Sequence, residues 1–248
     1  MAAGIHLVER KDEVSLWESV EPYQDALADR LPGFQPAETA IKALSQAEYL
    51  NKKQLHRILN WKFSVGKTRA PLRKLLDSNT DAAIEKQSQL ALSMARAMDT
   101  AKDGSLSEEA KAQVTAALSA LTQLKGVGPA TASAVLCWVR PDLFCFMYDE
   151  VIDCLHPVRD YKLSTYLAVN DACLKLGYGL GWTSHRVATC LWIASRYNAL
   201  FHIDLTTTTL SSHQKSPEDK AVSKKHSKPS SSSSSGTAKR TSKRARRI

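Results

Sequence analysis

Apolar residues recur along most of this chain at the three- and four-residue intervals of a helix face, and the strict alternation of a half-buried strand is nearly absent. The clearest stripe is Val114, Ala117, Leu118, Leu121 and Leu124, which predicts a helix over about 107–123 with Ser105 and Glu108 as a capping-box-like start. Pro129 stands where a second helix begins, at the position whose missing N–H costs nothing, and that helix runs until Arg140-Pro141 stops it. Further helices are expected at about 15–30, 37–48, 51–63, 71–76, 81–99, 162–176 and 183–200. Gly177–Gly181 reads as a mobile connection and Ser184 as an N-cap. The expected fold is all-α, one domain over 1–205 with no internal repeat, followed by a tail over 206–248.

The turn between the two best-marked helices carries the first chemical signal. Leu124-Lys125-Gly126-Val127-Gly128-Pro129-Ala130-Thr131-Ala132 places two glycines around one apolar residue, immediately before a helix start. Such a corner turns tightly and presents backbone N–H groups beside the positive end of the helix, while Val127 plugs the turn into the core. Donors of this kind suit a phosphate and read no base, so nucleic acid is the implied partner, through Lys125, Gly126, Val127, Gly128, Ala130 and Thr131. The alternative is an ordinary helix-turn-helix corner with a glycine C-cap.

Charge sharpens this reading through its distribution. The chain carries 34 Lys and Arg against 25 Asp and Glu, a net +9. From His213 to Ile248 there are eleven bases and two acids, so the tail holds the whole surplus and residues 1–212 balance at 23 of each. Within that neutral domain, Lys52, Lys53, Arg57, Lys62, Lys67, Arg69, Arg73 and Lys74 form a run with no acid. Lys62, Lys67 and Arg69, interleaved with Trp61 and Phe63, are candidate phosphate contacts; the alternative is a solvated helix face beside buried aromatics.

The tail, with Ser230–Ser235 and scattered Lys, Pro and Gly, offers almost no apolar surface to offset the entropy of ordering, and is expected to be disordered. Lys239, Arg240, Lys243, Arg244, Arg246 and Arg247 resemble a nuclear-import signal and add salt-dependent affinity for DNA; a nuclear location and an import receptor follow as expectations. No signal peptide or span of about 18 apolar residues is present, which argues against secretion and a membrane partner. Cys137, Cys145, Cys154, Cys173 and Cys190 are odd in number and lack a Cys-x-x-Cys pair; reduced core residues are expected. His156, His185 and His202 lack matched ligand spacing, so no metal site is read.

From about Thr122 to Val151 the chain resembles the helix-hairpin-helix DNA glycosylase superfamily. Its members follow a Leu-x-Gly-Val-Gly hairpin and helix with a catalytic aspartate about twenty residues on. Asp149 lies 21 residues after Gly128. The resemblance implies that Asp149 stands at the mouth of a base pocket, stabilising the positive charge that develops on the sugar or helping to activate water. The alternative is that Asp149 N-caps a helix starting near Glu150. Members that also cut the strand carry a lysine two residues after the second hairpin glycine; here that residue is Ala130, so a lyase of that type is not expected. The cluster-binding cysteines of some relatives are also missing, and no cofactor is expected. Trp61, Tyr148, Tyr178 and Trp182 are the aromatics available for a base pocket, with core packing as the alternative for each. The resemblance weakens over 160–200 and does not reach 52–74. It implies a monomeric, monofunctional glycosylase of base-excision repair, against two alternatives: a catalytically silent DNA-binding module, and a nuclear scaffold.

Overall fold

In the computed structural model, α1 (Ala3–Glu9), α2 (Val14–Glu18), α3 (Tyr23–Ala28), α4 (Phe34–Lys42), α5 (Lys52–Val65) and α6 (Pro71–Asp77) lead into α7 (Asp81–Ala97) and α8 (Glu108–Thr122). The order is completed by α9 (Pro129–Val139), α10 (Asp149–Leu155), α11 (Leu163–Leu180) and α12 (Ser184–Phe201). The structure describes residues 3–201 except Pro32 and Lys102. Among these no strand occurs, so the fold is all-α. The chain divides after Thr208. The tail, its import-signal residues and the expected 205/206 boundary lie outside the described residues.

Helices α5, α7 and α8 each follow from an apolar stripe and a side-chain N-cap. The Val114, Ala117, Leu118 and Leu121 stripe of α8 packs on α7, whose Ile84, Ala91, Leu92 and Ala95 are fully buried. Ser107 caps α8 by accepting from the Ala110 amide at 3.1 Å, so the start falls at Ser107 rather than Ser105. Asn51 and Gln54 close a reciprocal capping box on α5 at 2.9 and 2.8 Å. Helix α9 is the central element: Ala130 through Cys137 are all buried, as its nearly unbroken apolar sequence requires. It touches α5, α7, α8 and α11. The Arg140 guanidinium, held by Asp142, donates to the carbonyls of Ala95 and Met98 at 3.0 and 2.7 Å and closes the C-terminal end of α7.

Several expected boundaries move. The helix expected at 15–30 is two short ones, α2 and α3, separated by turn bonds such as Val20 N–H to Trp17 O. The Gly177–Gly181 connection is instead the last turn of α11, ended by Gly181 at φ +69°. Gly177 lies against the Trp182 carbonyl, which a Cβ would meet at 2.6 Å. Thr183, not Ser184, caps α12 by accepting from the Arg186 amide at 3.1 Å; Ser184 is buried and donates to Asn170.

Candidate functional site

The hairpin is hooked onto α6 by one side chain. Asn79 donates to Lys125 O and accepts from Lys125 N–H, both at 2.9 Å, while its amide also donates to Leu76 O at 2.9 Å. Gly126 lies in the left-handed region at φ +80°, pressed against α6: a Cβ there would meet Leu72 O at 2.9 Å and Leu75 Cβ and Leu76 N at 3.0 Å. Gly128 is its opposite. It caps α9 in extended conformation, and an added Cβ would meet nothing within 4 Å. Val127 is buried between them and Lys125 is exposed, so the turn is plugged inward and open outward at Gly128.

From α9 the chain runs through a buried strap, Leu143–Tyr148, to Asp149. Asn170 of α11 fixes the strap, accepting from Cys145 N–H at 2.8 Å and donating to Leu143 O at 2.9 Å. Ser133 of α9 accepts from Met147 N–H at 3.2 Å. Asp149 is thereby set as the first residue of α10. Its carboxylate is not spent on capping. Oδ1 accepts from the Tyr161 hydroxyl at 2.7 Å, and Oδ2 lies 3.7 Å from Arg159, which also holds Asp153. Burial, and then the bond to Asp149, raises the Tyr161 phenol above its ordinary value. Glu150 turns the other way and pairs with Arg196 at 2.8 Å; burial raises its carboxyl, and Arg196 opposes that rise.

Asp149 opens onto a cavity of about 170 Å³. The hairpin contributes Gly126, Gly128, Ala130 and Thr131 to its lining, the end of α5 and the loop after it contribute Lys62, Gly66, Lys67 and Arg69, and Leu72, Phe146, Met147 and Tyr161 complete it. Residues far apart in sequence, the hairpin, the basic segment and Asp149, thus meet around one space. Arg69 lies over the Tyr161 ring at 5.1 Å. The Lys62 amine is pushed below its ordinary value, first by burial and then by Arg69, with Asp149 opposing.

The remaining expected residues lie elsewhere. Trp61 and Tyr148 are core: Trp61 packs on Phe146 and Trp138, and Tyr148 stacks on Trp192 at 5.2 Å. Trp182 meets Trp17 edge-on under the Arg186 guanidinium, and Tyr178 is exposed on α11. None of the four lines the cavity: Trp61 and Tyr148 are taken up by packing among Phe146, Trp138 and Trp192, and the aromatic residues of the lining are Phe146 and Tyr161 instead. The basic segment is also divided. Lys52 pairs with Asp81 at 3.6 Å, and Arg57 and Arg73 line a separate open groove with Asn60 and Phe63. The sequence reading missed Tyr161, Arg159, Asn170, Ser133 and Asn79, and only Asn79, directly after a helix end, carried a local signal.

Four of the five cysteines are buried, Cys154 is partly buried, and all are free. No group of three or more His, Cys, Asp or Glu side chains that could hold a metal occurs among the described residues. No described helix is long and apolar enough to cross a membrane. No protein-family model, curated protein or solved structure matches the chain.

Proposed function

We propose that the cavity is the base-excision site of a monofunctional DNA glycosylase. The observation that carries this reading is the opening of Asp149 onto a space lined both by the hairpin and by Lys62, Lys67 and Arg69. Phosphate oxygens would dock at Gly128, where an added side chain would meet no atom within 4 Å and the end of α9 is positive, with Lys67 and Arg69 adding charge. An extruded base would lie against Phe146, Met147 and Tyr161. At about 170 Å³ the space is below the roughly 300–1,000 Å³ of drug-sized pockets, which fits one ring system rather than a whole nucleotide.

Cleaving the base–sugar bond leaves oxocarbenium character on the sugar, and a fixed carboxylate stabilises it with no reorganisation at the moment of reaction. Tyr161 and Arg159 hold the Asp149 carboxylate in place. With Ala130 on the hairpin wall, water is the nucleophile at the glycosidic step and Asp149 the group that orients or deprotonates it. Residence in the nucleus, through the basic tail, belongs to the same proposal.

A second reading, a DNA-binding module without catalysis, is favoured by one contact: Arg159 beside Asp149 reduces the negative field that an oxocarbenium would feel. The two separate in an excision screen of the full-length protein on duplexes carrying alkylated, oxidised, deaminated or mismatched bases. Alkali-labile sites on any of them support the glycosylase. Salt-sensitive binding with no alkali-labile site supports the silent module.

A further inference from the structure

The cations of the basic run divide between two sides of α5. At about 100° per residue, Arg57, Asn60, Phe63 and Ser64 share one side of that helix, and Lys62, which lines the Asp149 cavity, is turned from them by about half a turn. The side away from the cavity lines an open groove of about 590 Å³, completed by Gly33, Ala37 and Ala40 from α4 and its N-cap and by Thr68 and Arg73 after α5. No described acid lines it: Glu38, the acid of α4, pairs with Lys42 at 3.6 Å instead. Arg73 is already oriented, since its Nη1 donates to Asn60 Oδ1 at 2.5 Å and its guanidinium lies 5.2 Å from the Phe63 ring centre. Arg57 is exposed, and no hydrogen bond or ion pair joins it to another described residue. Two guanidinium forks among small residues and hydroxyl donors suit carboxylates presented along a chain, each of which a fork can take in two hydrogen bonds.

Two features turn the groove away from nucleic acid. A duplex seated at the hairpin and the cavity reaches Lys62 and is separated from Arg57 by the width of α5. Phe63, the ring in the groove's lining, is only 7 % exposed and is covered by the Arg73 guanidinium, so it offers no open face for the base stacking on which single-strand grooves depend. We propose that this groove docks an acidic segment of a partner protein, a run of Asp and Glu with small residues between them. Its carboxylates pair with Arg57 and Arg73, its backbone carbonyls accept from the hydroxyls of Ser64 and Thr68, and Ala37 and Ala40 leave room for its side chains. The site is separate from the Asp149 cavity and does not depend on what that cavity does.

Fluorescence anisotropy on the full-length protein tests this, with a short labelled peptide of alternating Glu and Ala, its Gln–Ala counterpart, and a short duplex, all at one salt concentration. Arg57→Gln/Arg73→Gln is compared with Lys11→Gln/Lys86→Gln, which removes the same charge from exposed lysines outside the groove, so that attraction to the basic tail is common to both. The groove pair should lower affinity for the Glu–Ala peptide roughly fivefold or more and the control pair less than about twofold, while duplex affinity falls by less than about twofold in both. Because Arg73 also packs on Phe63, Arg57→Gln is measured alone as well, with urea melts of every variant; a selective loss of peptide affinity in a stable Arg57→Gln protein supports the proposal. Equal losses in the two pairs, or wild-type binding of the Glu–Ala peptide no tighter than that of the Gln–Ala peptide, overturn it. A groove pair that loses more affinity for the duplex than for the peptide also overturns it and assigns the groove to nucleic acid. Excision is not measured in any arm, so the glycosylase reading stands or falls separately.

Discussion

The two hairpin glycines separate folding from binding. At Gly126 a Cβ meets two backbone atoms and a Cβ of α6 at 2.9–3.0 Å, in a left-handed conformation that other residues rarely adopt. The conformational term costs about 1–2 kcal/mol, and the overlap with atoms that cannot swing aside adds about 1–3 kcal/mol. Gly126→Ala is therefore expected to destabilise the domain by about 2–5 kcal/mol. Gly128 is open and extended, so Gly128→Asp introduces no clash. Aspartate is moreover a better N-cap than glycine, and stability should be unchanged or rise by a few tenths of a kcal/mol. The new carboxylate stands where a phosphate would dock, so DNA affinity should fall by more than about 1 kcal/mol, roughly fivefold or more. Urea unfolding and fluorescence anisotropy on a short duplex at one fixed salt concentration measure the two effects. A folded Gly128→Asp protein with wild-type affinity would refute the role of the hairpin. A Gly126→Ala protein as stable as the wild type would refute the packing argument.

Four other outcomes are expected. Asn170→Ala leaves the buried Cys145 N–H and Leu143 carbonyl without partners, at about 1–3 kcal/mol each, so chemical denaturation should show a loss of about 2–6 kcal/mol. A loss under about 1 kcal/mol would mean that the strap is held some other way. Buried His185, with Nδ1 unpartnered, is held near pKa about 4 by burial and by Lys42. Because this base is depressed in the folded state, its neutral form carries no penalty above pH 6.5; below that the unfolded chain takes up the proton first. Stability should fall by up to about 1.4 kcal/mol per pH unit, reaching about 3 kcal/mol at pH 4. His185→Phe should flatten that part of the pH profile in urea melts, and an unchanged slope would contradict the assignment. Tyr161→Phe removes a hydrogen bond to a charged carboxylate, about 1.5–3 kcal/mol, and should slow excision roughly tenfold or more in single-turnover assays; an unchanged rate would mean that Arg159 alone positions Asp149.

The elements around the hairpin were legible because their signals are local. Gly126, Gly128 and Pro129 punctuate the chain within four residues, and the stripe before them has one period, so α8 and α9 fall within about a residue of expectation. Where a boundary depends on a distant neighbour, sequence was silent. Helix α1 went unread because Gly4 matters only through its close approach to Ser195 and Cys154. Helix α11 runs past Gly177 because that glycine makes room for the Trp182 carbonyl. The aromatics were misassigned for a related reason: composition says which rings exist, while the strap's burial decides that Phe146 faces the cavity and Tyr148 faces Trp192. Tyr161 and Arg159 reach Asp149 from the loop after α10, a return that no periodicity encodes.

Single-turnover excision by the wild type and Asp149→Asn, run across the same panel of damaged and mismatched duplexes with affinity measured in parallel, tests the central claim most directly. The account predicts alkali-labile sites from the wild type and their loss in Asp149→Asn without loss of DNA binding. Equal cleavage by both proteins, or binding by both with no cleavage on any duplex, would contradict it.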